Sequence, residues 1–559
     1  MSASILLESI LSQQKANYPG LSDDDFFEVY CADNILLNYD LSADEINEGI
    51  VDGPRDAGID SAYVFVNRLL VTEDFVFDAI KQPVEIELVI ITSKNQDTFK
   101  EGPVDKLSAS LPLLLDAGQN AQQLETLFKP KVVAVCRSFI DAMKKLAGEF
   151  PRVHVRIFYC CKGVSPNDVM KAKATALKTT LSTKYPQIEF SFLGAQELYD
   201  RSAKQKRLVK ELAVVGSPLS GNNSYVSLCT IGNYIKFISD DDNSILTRIF
   251  EANVRAYQGE VEVNKEIAAS LSNPTAGVDF WWLNNGVTIV ADQAQFMNNR
   301  LTIENPLIVN GLQTSHELYN YGASLPTDDA RTVLVRVIVE QDRVKRDEII
   351  RATNRQTNIQ HSSFRATEPI HREIEDYLKT LGYFYDRRKN QYKREGKPTD
   401  KIVSIDKLAQ AVLSALKQEP HTARARPTTA LKAKATYDSI FSTNRNTHPL
   451  EMYGVAARLL SAVEDYFRTI QNPANQVHRN NLRFHVLMVL AWAIHGSKTL
   501  PIPAFAKLKI SKATPEQLEA VTDWVFSEFD QAGAEDKIAK DSDFTERLKT
   551  NWTPVNTNS

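Results

Sequence analysis

Gly58-Ile59-Asp60 and, further on, Glu87-Leu88-Val89-Ile90-Ile91-Thr92-Ser93-Lys94 decide how the first part of this chain reads. An acid enters one strand, and a lysine ends a second, very apolar one. Paired as a hairpin, two such strands bring Asp60 and Lys94 side by side at the edge of a sheet. A hard carboxylate suits Mg²⁺ or Mn²⁺, and an ammonium can orient water or steady an attacked phosphate. The pair therefore predicts a metal-dependent phosphodiesterase site. Alternation along the second strand sets Leu88, Ile90, Thr92 and Lys94 on one face and Glu85 and Glu87 on the other. A second carboxylate has to come from elsewhere: Glu28, on a helix and preceded by Phe26-Phe27, or Asp56, in the turn before Asp60.

Outward from these strands, residues 1 to about 50 read as helices, with Asp23-Asp24-Asp25 at a helix start. After Lys94 the pattern predicts a helical stretch over 104–128, strand 132–136, helix 139–150, strand 153–160, helix 167–185 and strand 188–193. Such alternation implies an α/β domain over 1–215, a mixed sheet flanked by helices. The turn-rich Gly216-Ser-Pro-Leu-Ser-Gly-Asn-Asn-Ser224 opens an expected α+β domain over 216–400, with strands at 225–230, 287–291 and 333–339. Helices dominate from 401 to 559.

The length of 559 residues suits several domains with separate cores, and a net charge of −5 confines any nucleic-acid surface to local patches. Five cysteines without metal spacing read as reduced, buried thiols, and the nine histidines show no zinc pattern. There is no Gx4GK[ST] phosphate loop. Met1–Gln14 lacks the basic start and apolar core of a signal peptide, and the apolar run 486–494 is too short to span a bilayer. A cytoplasmic protein with no membrane partner is expected.

Two segments of the middle region share one plan. Leu283-Asn284-Asn285-Gly286-Val287-Thr288 leads from a turn into a strand; Asn305-Pro-Leu-Ile-Val-Asn310-Gly311-Leu312-Gln313-Thr314-Ser315-His316 leads from a strand through Asn-Gly into a helix. Asn and Gly at such turns expose backbone N–H groups, and a helix start favours an anion. Asn285, Gly286, Asn310, Gly311, Gln313 and Thr314 are thus candidates for holding a phosphate, joined by Asn354 and Arg355 of Arg351-Ala-Thr-Asn-Arg-Gln356. The alternative is a set of turns whose amides bond their own backbone. Arg387, Arg388 and Lys389, interleaved with aromatics in Tyr383-Phe-Tyr-Asp-Arg-Arg-Lys-Asn-Gln-Tyr-Lys-Arg394, form a local nucleic-acid candidate.

Phe27-Glu28, Gly58-Ile59-Asp60 and Thr92-Ser93-Lys94 resemble the Mrr-like branch of the PD-(D/E)XK nucleases. That resemblance implies a restriction-endonuclease-like fold, with Asp60 and Glu28 on Mg²⁺ and Lys94 at the water. The chain departs from the pattern at Thr92, where the family has an acid or glutamine. Ala252-Asn-Val-Arg255, Leu283–Thr288, Asn305–Thr314 and Ala352-Thr-Asn-Arg-Gln356 closely resemble the AIPR family, named for abortive infection and phage resistance. Val309-Asn-Gly-Leu-Gln-Thr314 is more loosely similar to ParB/sulfiredoxin-like domains, some of which take nucleotides; Asn310 stands where those have Asp. Together the resemblances imply an anti-phage DNA endonuclease, with RNA left open as substrate and a homodimer as its expected assembly. The alternative is a nucleic-acid or nucleotide-binding sensor on an inactive nuclease fold.

Overall fold

The computed structural model describes residues 3–553 apart from 74, 81–83, 207, 223, 241–242, 251–261, 273–277, 323–325, 327–328, 355–367, 388, 426–430, 432 and 471–475. Ala252–Arg255, Arg355 and Arg388 therefore lie outside the described residues. The chain forms two compact units, residues 1–16 with 21–363 and residues 17–20 with 364–559.

In the first unit, β1 (Ser61–Val66), β2 (Leu69–Leu70), β3 (Glu85–Lys94), β4 (Arg152–Cys161) and β5 (Gln187–Leu193) form one sheet, ordered β2-β1-β3-β4-β5. β1 runs antiparallel to β2 and β3, whereas β3, β4 and β5 are parallel. Ser61 lies opposite Ile91, and the Asp60 amide donates to the Ile91 carbonyl at 3.0 Å. The hairpin therefore delivers Asp60 to the end of β3 that carries Lys94.

Helices cover both faces. α1 (Ala3–Lys15), α2 (Asp23–Ile35) and α3 (Ala43–Gly49) precede the sheet; α4 (Glu101–Leu114), α5 (Ala121–Leu127) and α6 (Pro130–Lys145) connect β3 to β4; α7 (Asp168–Ser182) connects β4 to β5, and α8 (Ala195–Lys206) follows. On one face Val64, Leu88 and Ile90 pack with Leu107 and Leu111 of α4, Phe139 of α6 and Leu177 of α7, all buried. On the other, Phe65 stacks on Tyr39 at 4.1 Å, and the Tyr39 hydroxyl donates to Glu87, which also pairs with Arg156 at 3.2 Å. The Tyr63 hydroxyl reaches the Ile46 carbonyl of α3 at 2.7 Å.

Residues 132–136, expected as a strand, belong to α6. Val-Val-Ala-Val-Cys is β-branched and apolar, yet Val132, Val133, Cys136, Phe139, Ile140 and Ala142 are the buried positions, a spacing that follows one helix face. Pro130 starts the helix, where its missing N–H leaves no helical bond unmade.

The rest of this unit adds β6 (Val209–Ala213), β7 (Val215–Gly221), β8 (Ser224–Thr230), β9 (Val287–Ala291), β10 (Gln293–Met297), β11 (Arg300–Glu304), β12 (Leu307–Asn310) and β13 (Thr332–Val339). They make a five-stranded mixed sheet, β12-β9-β13-β8-β7, and an antiparallel three-stranded one, β10-β11-β6. α9 (Ile231–Ile238), α10 (Glu262–Ser272), α11 (Leu312–Tyr321) and α12 (Arg343–Asn354) accompany them.

The second unit is mainly helical. Helices Ile405–Ala415, Leu450–Thr469, Gln476–His495 and Pro515–Gln531 enclose a core holding Trp492, Phe505 and Phe529. Strand Phe384–Asp386 pairs in parallel with Ile402–Ser404. The apolar run 486–494 is internal to this core, and among the described residues no helix is long and apolar enough to cross a membrane. All five cysteines are buried free thiols.

Candidate active site

The site begins with a turn that only special backbone permits. Gly58 has φ +80°, and a Cβ there would lie 2.8 Å from the Lys106 Cβ, so glycine is required on both counts. The Asp56 carboxylate accepts from the Gly58 amide at 2.8 Å, and the Thr92 hydroxyl donates to the Gly58 carbonyl at 2.5 Å. Asp60 follows, 1% exposed, its Oδ2 accepting from the Ser93 amide at 2.6 Å and from Lys94 Nζ at 3.0 Å. Lys94 Nζ also reaches Oδ1 at 3.2 Å.

Two further acids converge on this pair. Glu28 comes from α2, which Ser22 and Asp25 fix through a capping box. Asp52 comes from the loop after α3, whose Val51 and Asp52 amides both donate to the Asp60 carbonyl, at 2.8 and 3.1 Å. Glu28, Asp52 and Asp60 each offer a carboxylate oxygen, all within 4.8 Å of one another. The start of α6 clamps the loop: Lys129 Nζ donates to the Asp52 carbonyl at 2.6 Å and Lys131 Nζ to the Ile50 carbonyl at 2.7 Å.

Crowding acids out of water has an electrostatic consequence. Burial, then the charges of Asp60 and Asp52, raises the Glu28 carboxyl to about 9. Burial raises Asp60 to about 6, against the opposing pull of Lys94 and the Ser93 amide. Burial works to lower the Lys94 ammonium, but Asp60 outweighs it and holds Lys94 above its ordinary value. The proton that Glu28 keeps in the metal-free site reflects this crowding, and the clustered acid oxygens are the donors a hard divalent cation takes once it displaces that proton. The residues present thus fit Mg²⁺ or Mn²⁺.

The structure brings Asp60, Lys94 and Glu28 together. Asp56 does not join them, because its carboxylate closes the Gly58 turn. Glu85 and Glu87 pair with His154 and Arg156 on β4 instead. Asp52 carries no strand or helix pattern that singles it out; the signal available was an acid opening Asp52-Gly53-Pro54, in the loop that leads to Asp60.

The Asn-Gly segments meet at one end of the second sheet. Gly286 has φ +72° and Gly311 φ +96°, and a Cβ on Gly311 would lie 3.0 Å from the Gly286 carbonyl. The Asn285 carbonyl accepts from Arg336 at 2.9 Å, and the Asn310 side chain donates to the Thr353 carbonyl at 2.5 Å, next to Asn354 at the end of α12. Gln313 and Thr314, in the first turn of α11, are buried. His316 packs near the Phe250 ring and is lowered by burial to about 4, so its imidazole is neutral near pH 7.

The basic segment needs a correction. Arg387 is not a surface cation: it is buried, with Nε donating to Glu375 Oε2 at 2.5 Å, while the Tyr392 hydroxyl donates to Glu375 Oε1 at 2.7 Å. Tertiary packing claims it as the partner of an acid on helix Pro369–Thr380. Lys389 is exposed.

A family model described as AIPR protein matches residues 250–532. The carboxylate cluster and Lys94 precede the matched region. No curated protein and no solved structure matches the chain.

Proposed function

The chain belongs to the AIPR family, and from that premise we propose that it is an anti-phage, abortive-infection protein whose N-terminal half hydrolyses phosphodiester bonds of DNA. The observation that carries the reading is the clustering of Glu28, Asp52 and Asp60, with Lys94 paired to Asp60, at the end of the central strand β3. A restriction-endonuclease-like plan agrees with the antiparallel β1–β3 hairpin followed by parallel β4 and β5, with helices on both faces.

Held by the three carboxylates, a divalent cation would set positive charge at the attacked phosphate and lower the pKa of water there. The chain's own residues do the rest. Asp60 is fixed by the Ser93 amide and its own backbone bond to β3, so the donor set is positioned before substrate arrives. Lys94 grips both oxygens of Asp60, which keeps it charged; an ammonium has three N–H donors, leaving capacity for a phosphate oxygen or the attacking water. Thr92 does not ligate in this arrangement, because its hydroxyl holds the Gly58 turn. Asp52 supplies the carboxylate that the motif lacks at position 92.

The test is plasmid cleavage with Mg²⁺ or Mn²⁺. Wild type should nick or linearise DNA; Asp60→Ala and Lys94→Ala should lose activity by at least about a hundredfold. Asp52→Ala should fall with them. Equal behaviour of all four proteins, including no cleavage by any, would overturn the reading in favour of a sensor.

A further inference from the structure

On the Thr92–Lys94 face of β3 the surface opens into a cavity of about 240 Å³. Lys94, Lys100 and Lys106 line it, with Thr92, Gly58 and one acid, Asp56. Asp56 is engaged by the Gly58 amide at 2.8 Å. The nearby acids of α4 are drawn off as well: Lys173 pairs with Glu101 at 2.7 Å and with Asp105 at 2.8 Å. Lys100 and Lys106 are exposed. The lining is thus a positive slot directly beside a negative cluster, and Lys94 belongs to both.

The size narrows the ligand. Whole small-molecule sites run from about 300 to 1,000 Å³; this slot is smaller and suits a phosphate with its sugar, not a paired base. Position 92 explains why the slot can accept an anion. Thr92 lines it without charge, its hydroxyl turned to the Gly58 carbonyl, whereas an acid there would set a carboxylate in the slot wall.

We infer that the slot binds the backbone phosphate next to the one attacked, so that the substrate is a polynucleotide strand held over successive phosphates. The inference rests on the phosphodiesterase reading and extends it: the same chain departure that removes an acid from the motif builds the anion site. A substrate with a single phosphodiester fills only the position at Lys94 and the carboxylates.

The experiment is competition against a labelled single-stranded hexathymidylate, using the full chain with Ca²⁺ in place of Mg²⁺. Unlabelled hexathymidylate should compete at least about tenfold better than thymidylyl-thymidine, which has one phosphodiester. In Lys100→Glu/Lys106→Glu that length advantage should collapse towards one. Lys100→Gln/Lys106→Gln should fall between, and the salt dependence of hexamer binding should flatten by roughly one counterion, that of the single phosphate the slot holds. An undiminished advantage in both double variants, or no hexamer binding by wild type, overturns the slot. Plasmid cleavage separates the two ideas. If wild type cuts but the lysine variants keep their length preference, the slot fails alone. If nothing cuts while the lysine variants lose that preference, the slot stands and the phosphodiesterase reading falls.

Discussion

Glu28 carries the sharpest consequence at the scale of one residue. Its ordinary value is 4.5, and burial beside Asp60 and Asp52 raises it to about 9. Between those values the unfolded chain has released the proton and the folded chain keeps it. Unfolding then releases a proton, so stability is greatest at the acid end of the window and is lost as pH rises through it. Asp60, raised from 3.8 to about 6, adds the same sign over a lower window. Metal-free protein should therefore show a melting temperature that falls by several degrees between pH 6 and pH 9, and Glu28→Gln should flatten that fall. A wild-type profile that is flat or rises over this range would show that Glu28 does not share a crowded acidic site. The residue scale also marks the limit of sequence reading. Asp60 and Lys94 were legible because strand periodicity and hairpin pairing place them. Asp52 was not, because a loop has no period, and its position depends on bonds to the Asp60 carbonyl and to Lys129 from distant sequence.

Among the elements, packing overrides pattern in two places. Residues 132–136 look like a buried strand, but their burial follows a helix face, and α6 uses its first turn to clamp the Asp52 loop through Lys129 and Lys131. The segment around Arg387 looks like a basic, aromatic nucleic-acid surface, yet Arg387 is enclosed against Glu375 of helix Pro369–Thr380. In both cases the local composition does not contain the neighbour that each side chain meets. The two roles of Arg387 predict different measurements. A buried pair that loses one member leaves an uncompensated charge, so Arg387→Ala should destabilise the protein by about 3–5 kcal/mol in chemical denaturation. A surface contact to DNA would instead weaken binding and leave the midpoint of denaturation where it was. The Asn-Gly turns illustrate the opposite outcome. Positive φ at Gly286 and Gly311 and the close approach of their backbones follow directly from the residue types.

For the whole molecule, the family match and the proposed chemistry occupy different parts of the chain. The match covers residues 250–532, while Glu28, Asp52, Asp60 and Lys94 all precede it. If defence works through the carboxylate cluster, the matched region alone does not supply it, and a single buried carboxylate should decide the outcome in infected cells. Asp60 is the appropriate position, since it joins the acids, the Lys94 ammonium and the β1–β3 hairpin. Asp60→Asn removes the negative charge yet retains an amide oxygen that can still accept from the Ser93 amide, so loss of fold is less of a confounder than with alanine. Cells expressing wild type should lower phage plating efficiency, and cells expressing Asp60→Asn at the same level should plate phage like cells without the gene. An abortive mechanism adds a second signature: wild-type cultures should survive a low ratio of phage to cells and collapse at a high one. If Asp60→Asn protects as well as wild type, the carboxylate cluster is not the effector of defence.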